Sequence, residues 1–235
     1  MEKKKIYIIG GSRGCGATFA AERLALAMGR VSDGVTYLEG ADHGEGHGLP
    51  YYELSLDKMI PEKRFKDVFA VKRGDRSPEG FVNLWANVNW AVRTGKSPTG
   101  TFVMPSETAG RYIIWDNPGP AGAAGLPDLA IVVTDTLPSR VIAAAEKVRI
   151  CRGLYQNRVL WIVNRGQGQA VRDTEKFLGF RADFVLRNEP WETICLSERE
   201  GPLFSRYTAK ESKNTEREYN DRIFGEMADY ILTLF

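Results

Sequence analysis

The feature that most limits how this chain can fold lies near its start. Ile6–Gly10 is an unbroken apolar run that ends in a glycine cluster, and Thr18–Met28 follows with Phe19, Leu24, Leu26 and Met28 among alanines. A continuous apolar run reads as a strand buried on both faces, and spaced apolar residues among alanines read as a helix, so the segment predicts strand, loop, helix. The pattern recurs. Val35–Leu38, Tyr112–Trp115, Leu129–Thr134 and Val159–Val163 are strand-like, with a short strand over Phe184–Leu186. Arg140–Arg152, Ala170–Leu178, a segment from Trp191 and roughly Thr215–Leu234 are helix-like. Phe81, Leu84, Trp85, Val88 and Val92 fit one helical face between Pro78 and the Gly95–Gly100 breakers, which predicts a further helix. Ala41–Leu49, rich in glycine and charge, reads as loop. Alternating buried strands and helices predict an α/β fold, a doubly wound and mostly parallel sheet with helices on both faces. Ligands bind such sheets at the carboxyl ends of the strands.

A length of 235 residues fits one domain spanning 1–235. Lys+Arg 32 against Asp+Glu 30 leaves a formal charge of +2, so the totals carry no nucleic-acid-scale positive field, and no nucleic-acid partner is expected. No apolar run approaches the ~18 residues of a membrane span, and Met1-Glu2-Lys3-Lys4-Lys5 leads straight into a strand without a signal-peptide cleavage region. A cytoplasmic location is the expectation. Cys15, Cys151 and Cys195 are far apart and form no CxxC pair, so they read as reduced thiols.

The loop after the first strand is Gly11-Ser12-Arg13-Gly14-Cys15-Gly16-Ala17-Thr18, followed by Phe19. It matches G-x-x-x-x-G-K-[ST] at every fixed position except the lysine, which is Ala17. In a P-loop the backbone N–H groups converge on phosphate oxygens, the next helix presents its positive N-terminus, and the hydroxyl at the Thr18 position ligates magnesium. Those backbone features survive at Gly11, Ser12, Arg13, Gly14, Cys15, Gly16, Ala17, Thr18 and Phe19. The missing ammonium removes a charge-assisted bond worth roughly 1.5–3 kcal/mol, about ten- to hundredfold in affinity.

In this loop, and in order along the chain to its C-terminus, the sequence resembles the MinD/ParA group of P-loop ATPases, whose loop is K-G-G-x-G-K-[ST]. Val35-Thr36-Tyr37-Leu38-Glu39-Gly40-Ala41-Asp42 looks like the family's strand ending in D-x-D. Asp116-Asn117-Pro118-Gly119 looks like its D-x-P-x-G segment. Leu126–Asp135, with the helix that follows, is similar to its "AD..IVVT.P....V..A" stretch. Val163-Asn164-Arg165 resembles the strand end that meets adenine, and Leu186–Pro190 through Gly201-Pro202-Leu203 resembles its "IP.D....A...G.PL" ending. The resemblance implies bound ATP or ADP with Mg2+. It assigns the metal to Thr18 and Asp116, a switch loop to Glu39, Asp42 and His43, and the base to Asn164, Arg165 and Pro190. It also implies a homodimer and a protein partner.

The departures change the expected chemistry. The family's signature lysine falls on Ser12, its Walker lysine on Ala17, and its acid on Ala41 unless a one-residue offset brings Asp42 into place. Phosphoryl transfer depends mostly on charge neutralisation and positioning, so these losses depress turnover by more than they depress binding. The expectation is a nucleotide-binding scaffold that positions or regulates a partner with little or no hydrolysis. Two alternatives stand beside it: a slow ATPase that uses Arg13 or a residue in trans, and a nucleotide-free interaction module that keeps only the fold. The degenerate loop also resembles that of the TadZ/CpaE-like proteins.

Three other features have competing readings. His43 and His47, beside Asp42 and Glu45, form either a metal cluster or a mobile loop, and the glycines among them favour the loop. Cys15 is either an activated thiol or packing, and packing is expected. The C-terminal segment has one apolar face, Tyr219, Ile223, Met227 and Ile231, with an acid-rich polar face. Such a face disfavours anionic lipid, so packing within the protein is expected and membrane attachment is not.

Overall fold

The computed structural model describes residues 2–39, 82–85, 88–92, 110–118, 126–156, 158–190 and 215–235. Its strands are β1 (Lys4–Gly10), β2 (Val35–Glu39), β3 (Val82–Trp85), β4 (Val88–Val92), β5 (Tyr112–Asp116), β6 (Leu129–Thr134), β7 (Val159–Val163) and β8 (Phe184–Val185). The helices are α1 (Ala17–Val31), α2 (Pro138–Tyr155), α3 (Gly168–Leu178) and α4 (Thr215–Thr233). The described strands form one sheet in the order β3-β4-β2-β5-β1-β6-β7-β8. Only the β3–β4 pair is antiparallel.

The central strands have the composition that burial on two faces requires. Every residue of Tyr112–Asp116 and of Leu129–Thr134 is buried. Their side chains alternate between two cores, as the two-residue period of a strand dictates. Ile6, Ile8, Ile114, Ile131, Val133 and Ile162 pack with α1 and α4. Val132, Trp161 and Val163 face the other way, against Ala144 and Val148 or Val141 and Ala145 of α2. In α1, Ala17, Ala20, Ala21 and Ala25 are all buried, and small side chains there let the helix lie close to the sheet.

The C-terminal helix is core. Ile223, Phe224, Met227, Ala228 and Ile231 are buried in the cluster that holds α1, and Phe224 meets Phe19 edge-on at 6.1 Å. The expected packing role of this helix is therefore what the structure shows.

The helix expected around Phe81–Val92 is a correction. Val82–Trp85 and Val88–Val92 are strands, with Val88 opposite Val35 and Val92 opposite Glu39. The i, i+3, i+4 spacing of the apolar residues also contains a two-residue alternation. Val82, Val88 and Val92 are β-branched; β2 offers β4 an open edge on which to pair, and β3 then pairs with β4. The segment from Trp191, the Ala41–Leu49 loop and Cys195 lie outside the described residues.

Candidate functional site

The sheet places five strand ends side by side, those of β1, β5, β6, β7 and β8, and the chain leaves each of them into the same region. This is where β1 feeds the glycine loop and α1. Gly16 caps α1 with φ 91° and no side-chain cap, so the helix presents its first N–H groups without competition from its own side chains. Gly14 also has a positive φ of 73°. These are backbone conformations that residues with a Cβ adopt only under strain. A Cβ on Gly16 would lie 2.1 Å from Asn164 Nδ2.

Asn164 follows β7 and is 5% exposed; its Nδ2 donates to the Cys15 carbonyl at 2.9 Å, and its Oδ1 accepts the Arg165 N–H. The loop is thus tied to the β7 end. On the other side, Thr18 Oγ1 donates to Asp116 Oδ2 at 2.6 Å, and Asn117 bridges the two strands. Asn117 Nδ2 donates to Asp116 Oδ1 at 2.9 Å, and its Oδ1 accepts the Gly10 N–H at 2.8 Å. Burial pushes the Asp116 carboxyl up to about 6, although hydrogen bonds from Thr18, Tyr37 and Asn117 act in the opposite direction.

Inside the loop Cys15 is 1% exposed and its thiol is pushed up by burial, so it fills space as an uncharged group. Ser12 Oγ is buried and has no hydrogen-bond partner among the described residues. Ala17, where a P-loop carries its lysine, is buried at 6% exposure. Arg13 is exposed and makes no hydrogen bond or ion pair among the described residues.

Beside the loop lies an open cleft of about 420 Å³ lined by Gly16, Phe19, Asn164, Arg165, Arg187, Asn188 and Glu189. Its far wall is fastened to α4. Asn220, fully buried, accepts the Arg187 N–H and donates to the Arg187 carbonyl and to Glu189 Oε1. Arg23 reaches Glu189 Oε2 at 3.3 Å.

Most of the residues selected from sequence converge here. The loop, Thr18 and Asp116 meet, and Phe19, Asn164 and Arg165 line the cleft; Pro190 is exposed next to Glu189 and is not part of the lining. Glu39 ends β2, and its neighbours Asp42 and His43, with His47, lie outside the described residues. The sequence reading did not single out Asp135, Arg140, Asn117, Arg187, Glu189 or Asn220 as site residues. Asp135, Asn117 and Arg187 each stand at or just past the end of a parallel strand, which is the signal that would have found them.

No protein-family model matches the chain, and no curated protein sequence matches it. Solved structures do. A ParA family ATPase from Chlorobium tepidum is similar over 96% of this chain and 98% of its own, with 14% identity and a TM-score of 0.62. The Aquifex aeolicus MinC:MinD cell division protein complex matches over 98% of this chain and 96% of that one, at 16% identity and a TM-score of 0.64. The septum site-determining protein MinD of Pyrococcus horikoshii, complexed with Mg-ADP, matches over 97% and 96%, at 17% identity and a TM-score of 0.57. With its strand order and glycine loop, the chain has the fold of the MinD/ParA-type P-loop ATPases.

Proposed function

We propose that residues 1–235 form one nucleotide-binding unit that holds an adenine nucleotide, ATP or ADP, with Mg2+. It cleaves the nucleotide slowly or not at all, and it acts as a homodimeric scaffold that positions or regulates a protein partner. The observation that carries this reading is the Thr18–Asp116 contact of 2.6 Å at the foot of the uncapped glycine loop. Two hard oxygen donors at one point suit Mg2+, which is bound through one or two protein oxygens plus phosphate and water. Thr18 and Asp116 would hold it, and the ion when bound neutralises phosphate charge. The unpartnered Ser12 hydroxyl leaves a donor for an anion in the same loop. The cleft beside Phe19, Asn164 and Arg165 has room for the nucleoside. Mg-ADP in the Pyrococcus horikoshii protein and MinC in the Aquifex aeolicus complex support the ligand and partner classes.

The weak-hydrolysis part follows from charge. Ser12 and Ala17 bring no ammonium, and the loop's one cation, Arg13, is exposed and held by no described partner, which leaves phosphoryl transfer without the positioned positive groups it needs in the loop itself. The narrower TadZ/CpaE-like reading rests on the same degeneracy.

Equilibrium titration with ATP, ADP and GTP, with and without Mg2+, read together with the mass of the complex and with phosphate release, tests the proposal. The expected result is Mg2+-dependent binding of adenine nucleotide by a dimer with negligible phosphate release. Steady release abolished by Asp116→Ala in a folded protein would replace it with the slow-ATPase reading. No binding at millimolar nucleotide would replace it with a nucleotide-free module.

A further inference from the structure

Two arginines from different elements converge on the outer side of the glycine loop. Arg140, in the first turn of α2, and Arg165, just past β7, both donate to Asp135 Oδ2, at 2.6 and 2.9 Å. Both also donate to the Gly14 carbonyl, Arg140 at 3.0 Å. Asp135 is 1% exposed, and its second oxygen is occupied by the Leu137 N–H at 3.0 Å.

The charges in this group do not cancel. Two guanidiniums share one carboxylate, and neither makes another ion pair among the described residues, so one positive charge remains at the lip of the loop. Each arginine uses a single terminal nitrogen for both of its contacts. Its Nε and other terminal nitrogen are uncommitted among the described residues, and a guanidinium fork of that kind matches phosphate oxygens. Holding two like charges on one carboxylate oxygen is costly in a partly buried setting, with the side chains 32% and 35% exposed, and an added anion relieves the repulsion. Arg13 sits in the loop but has no such anchoring. The Ser12 hydroxyl, two residues before Gly14 in the loop, is buried and has no hydrogen-bond partner among the described residues.

We propose that Arg140 and Arg165 are an oligophosphate-binding pair that supplies, from the strand ends beside the loop, the positive charge absent at Ser12 and Ala17. The proposal rests on the nucleotide-binding reading for its natural ligand, a nucleoside di- or triphosphate, but its chemistry concerns the phosphate chain alone. Inorganic tripolyphosphate, ATP and adenosine therefore serve as separate probes.

The test is calorimetric titration of the full chain and of Arg140→Gln, Arg165→Gln, their lysine counterparts, and Arg172→Gln as a charge-matched control on the exposed face of α3. Circular dichroism melting monitors the fold. The expected result is a loss of about tenfold or more in tripolyphosphate and ATP affinity for each glutamine variant, with adenosine binding unchanged in Arg140→Gln, whose side chain does not line the nucleoside cleft. The lysine variants fall between, because a point charge replaces the fork, and the control is unaffected. Folded glutamine variants that bind both phosphate ligands as the parent does overturn the pair. Tripolyphosphate binding that depends on the arginines, without any binding of ATP, overturns the nucleotide reading and leaves the pair standing; no binding of either overturns both. If a glutamine variant does not fold, phenylglyoxal labelling of the unmodified chain decides. Protection of Arg140 and Arg165 by tripolyphosphate supports the pair, and equal labelling with and without it overturns the pair.

Discussion

Thr18 and Asp116, 98 residues apart in sequence, meet at 2.6 Å, the hydroxyl donating to a fully buried carboxylate. One residue lies in the first turn of α1 and the other closes β5, so the contact exists only once β1 and β5 have paired in the register that sets Ile8 opposite Asp116.

Asp116 should cost the metal-free protein stability at neutral pH. Its carboxyl is held up at about 6, against an ordinary value of 3.8, so the folded chain binds the proton more tightly than the unfolded chain. The stability this provides is present below about pH 4 and is lost as the pH rises through 6. Asp116→Asn should therefore raise stability at pH 7 by about 1–3 kcal/mol, with the gain shrinking toward pH 4.5. Denaturant unfolding at the two pH values measures it, and a variant no more stable than the parent at pH 7 refutes it. The same variant should lose the Mg2+ dependence of nucleotide binding.

Gly16→Ala should destabilise the fold by roughly 2–4 kcal/mol, because φ 91° strains an L residue and the new methyl meets Asn164 Nδ2. Adding Asn164→Gly should recover the steric part and leave the backbone part. A double-mutant cycle by urea unfolding separates the two, and strict additivity would show that the predicted clash is absent.

Asn220→Ala should weaken the cleft at a distance. It removes two bonds to the Arg187 backbone and one to Glu189 from a fully buried position, at a cost of about 2–4 kcal/mol. Nucleoside affinity should fall with it, while tripolyphosphate affinity stays near the parent value. Parallel titrations with adenosine and tripolyphosphate check this, and an equal loss for both ligands counts against it.

Ile231→Ala should cost about 2–5 kcal/mol, since the side chain is fully buried in the core that α4 shares with α1. No described helix is long and apolar enough to cross a membrane. Flotation with anionic vesicles should leave the protein unbound, because the apolar face of α4 is already occupied; co-flotation would show that this helix leaves the core.

The fold class and the position of the glycine loop at the candidate site were legible in the sequence because both depend on local pattern. Apolar runs such as Leu129–Thr134 can only be strands covered on both faces, and a glycine loop between a strand and a helix marks the carboxyl edge where ligands sit. Local pattern also failed in one place. At Phe81–Val92 the same residues satisfy a helical and a two-residue period, and the open edge of β2, which no local window contains, selects the strand.

The partners of each site residue belong to the tertiary structure alone. The substitutions at Ser12 and Ala17 could be read from the chain, and so could the loss of charge they imply. That Asp135 gathers Arg140 and Arg165 over Gly14, and that Asn220 reaches back from the last helix to hold Arg187 and Glu189, could not. Those contacts join strand ends and helices far apart in sequence, and they are set by strand order and register rather than by any property of the residues' neighbours along the chain.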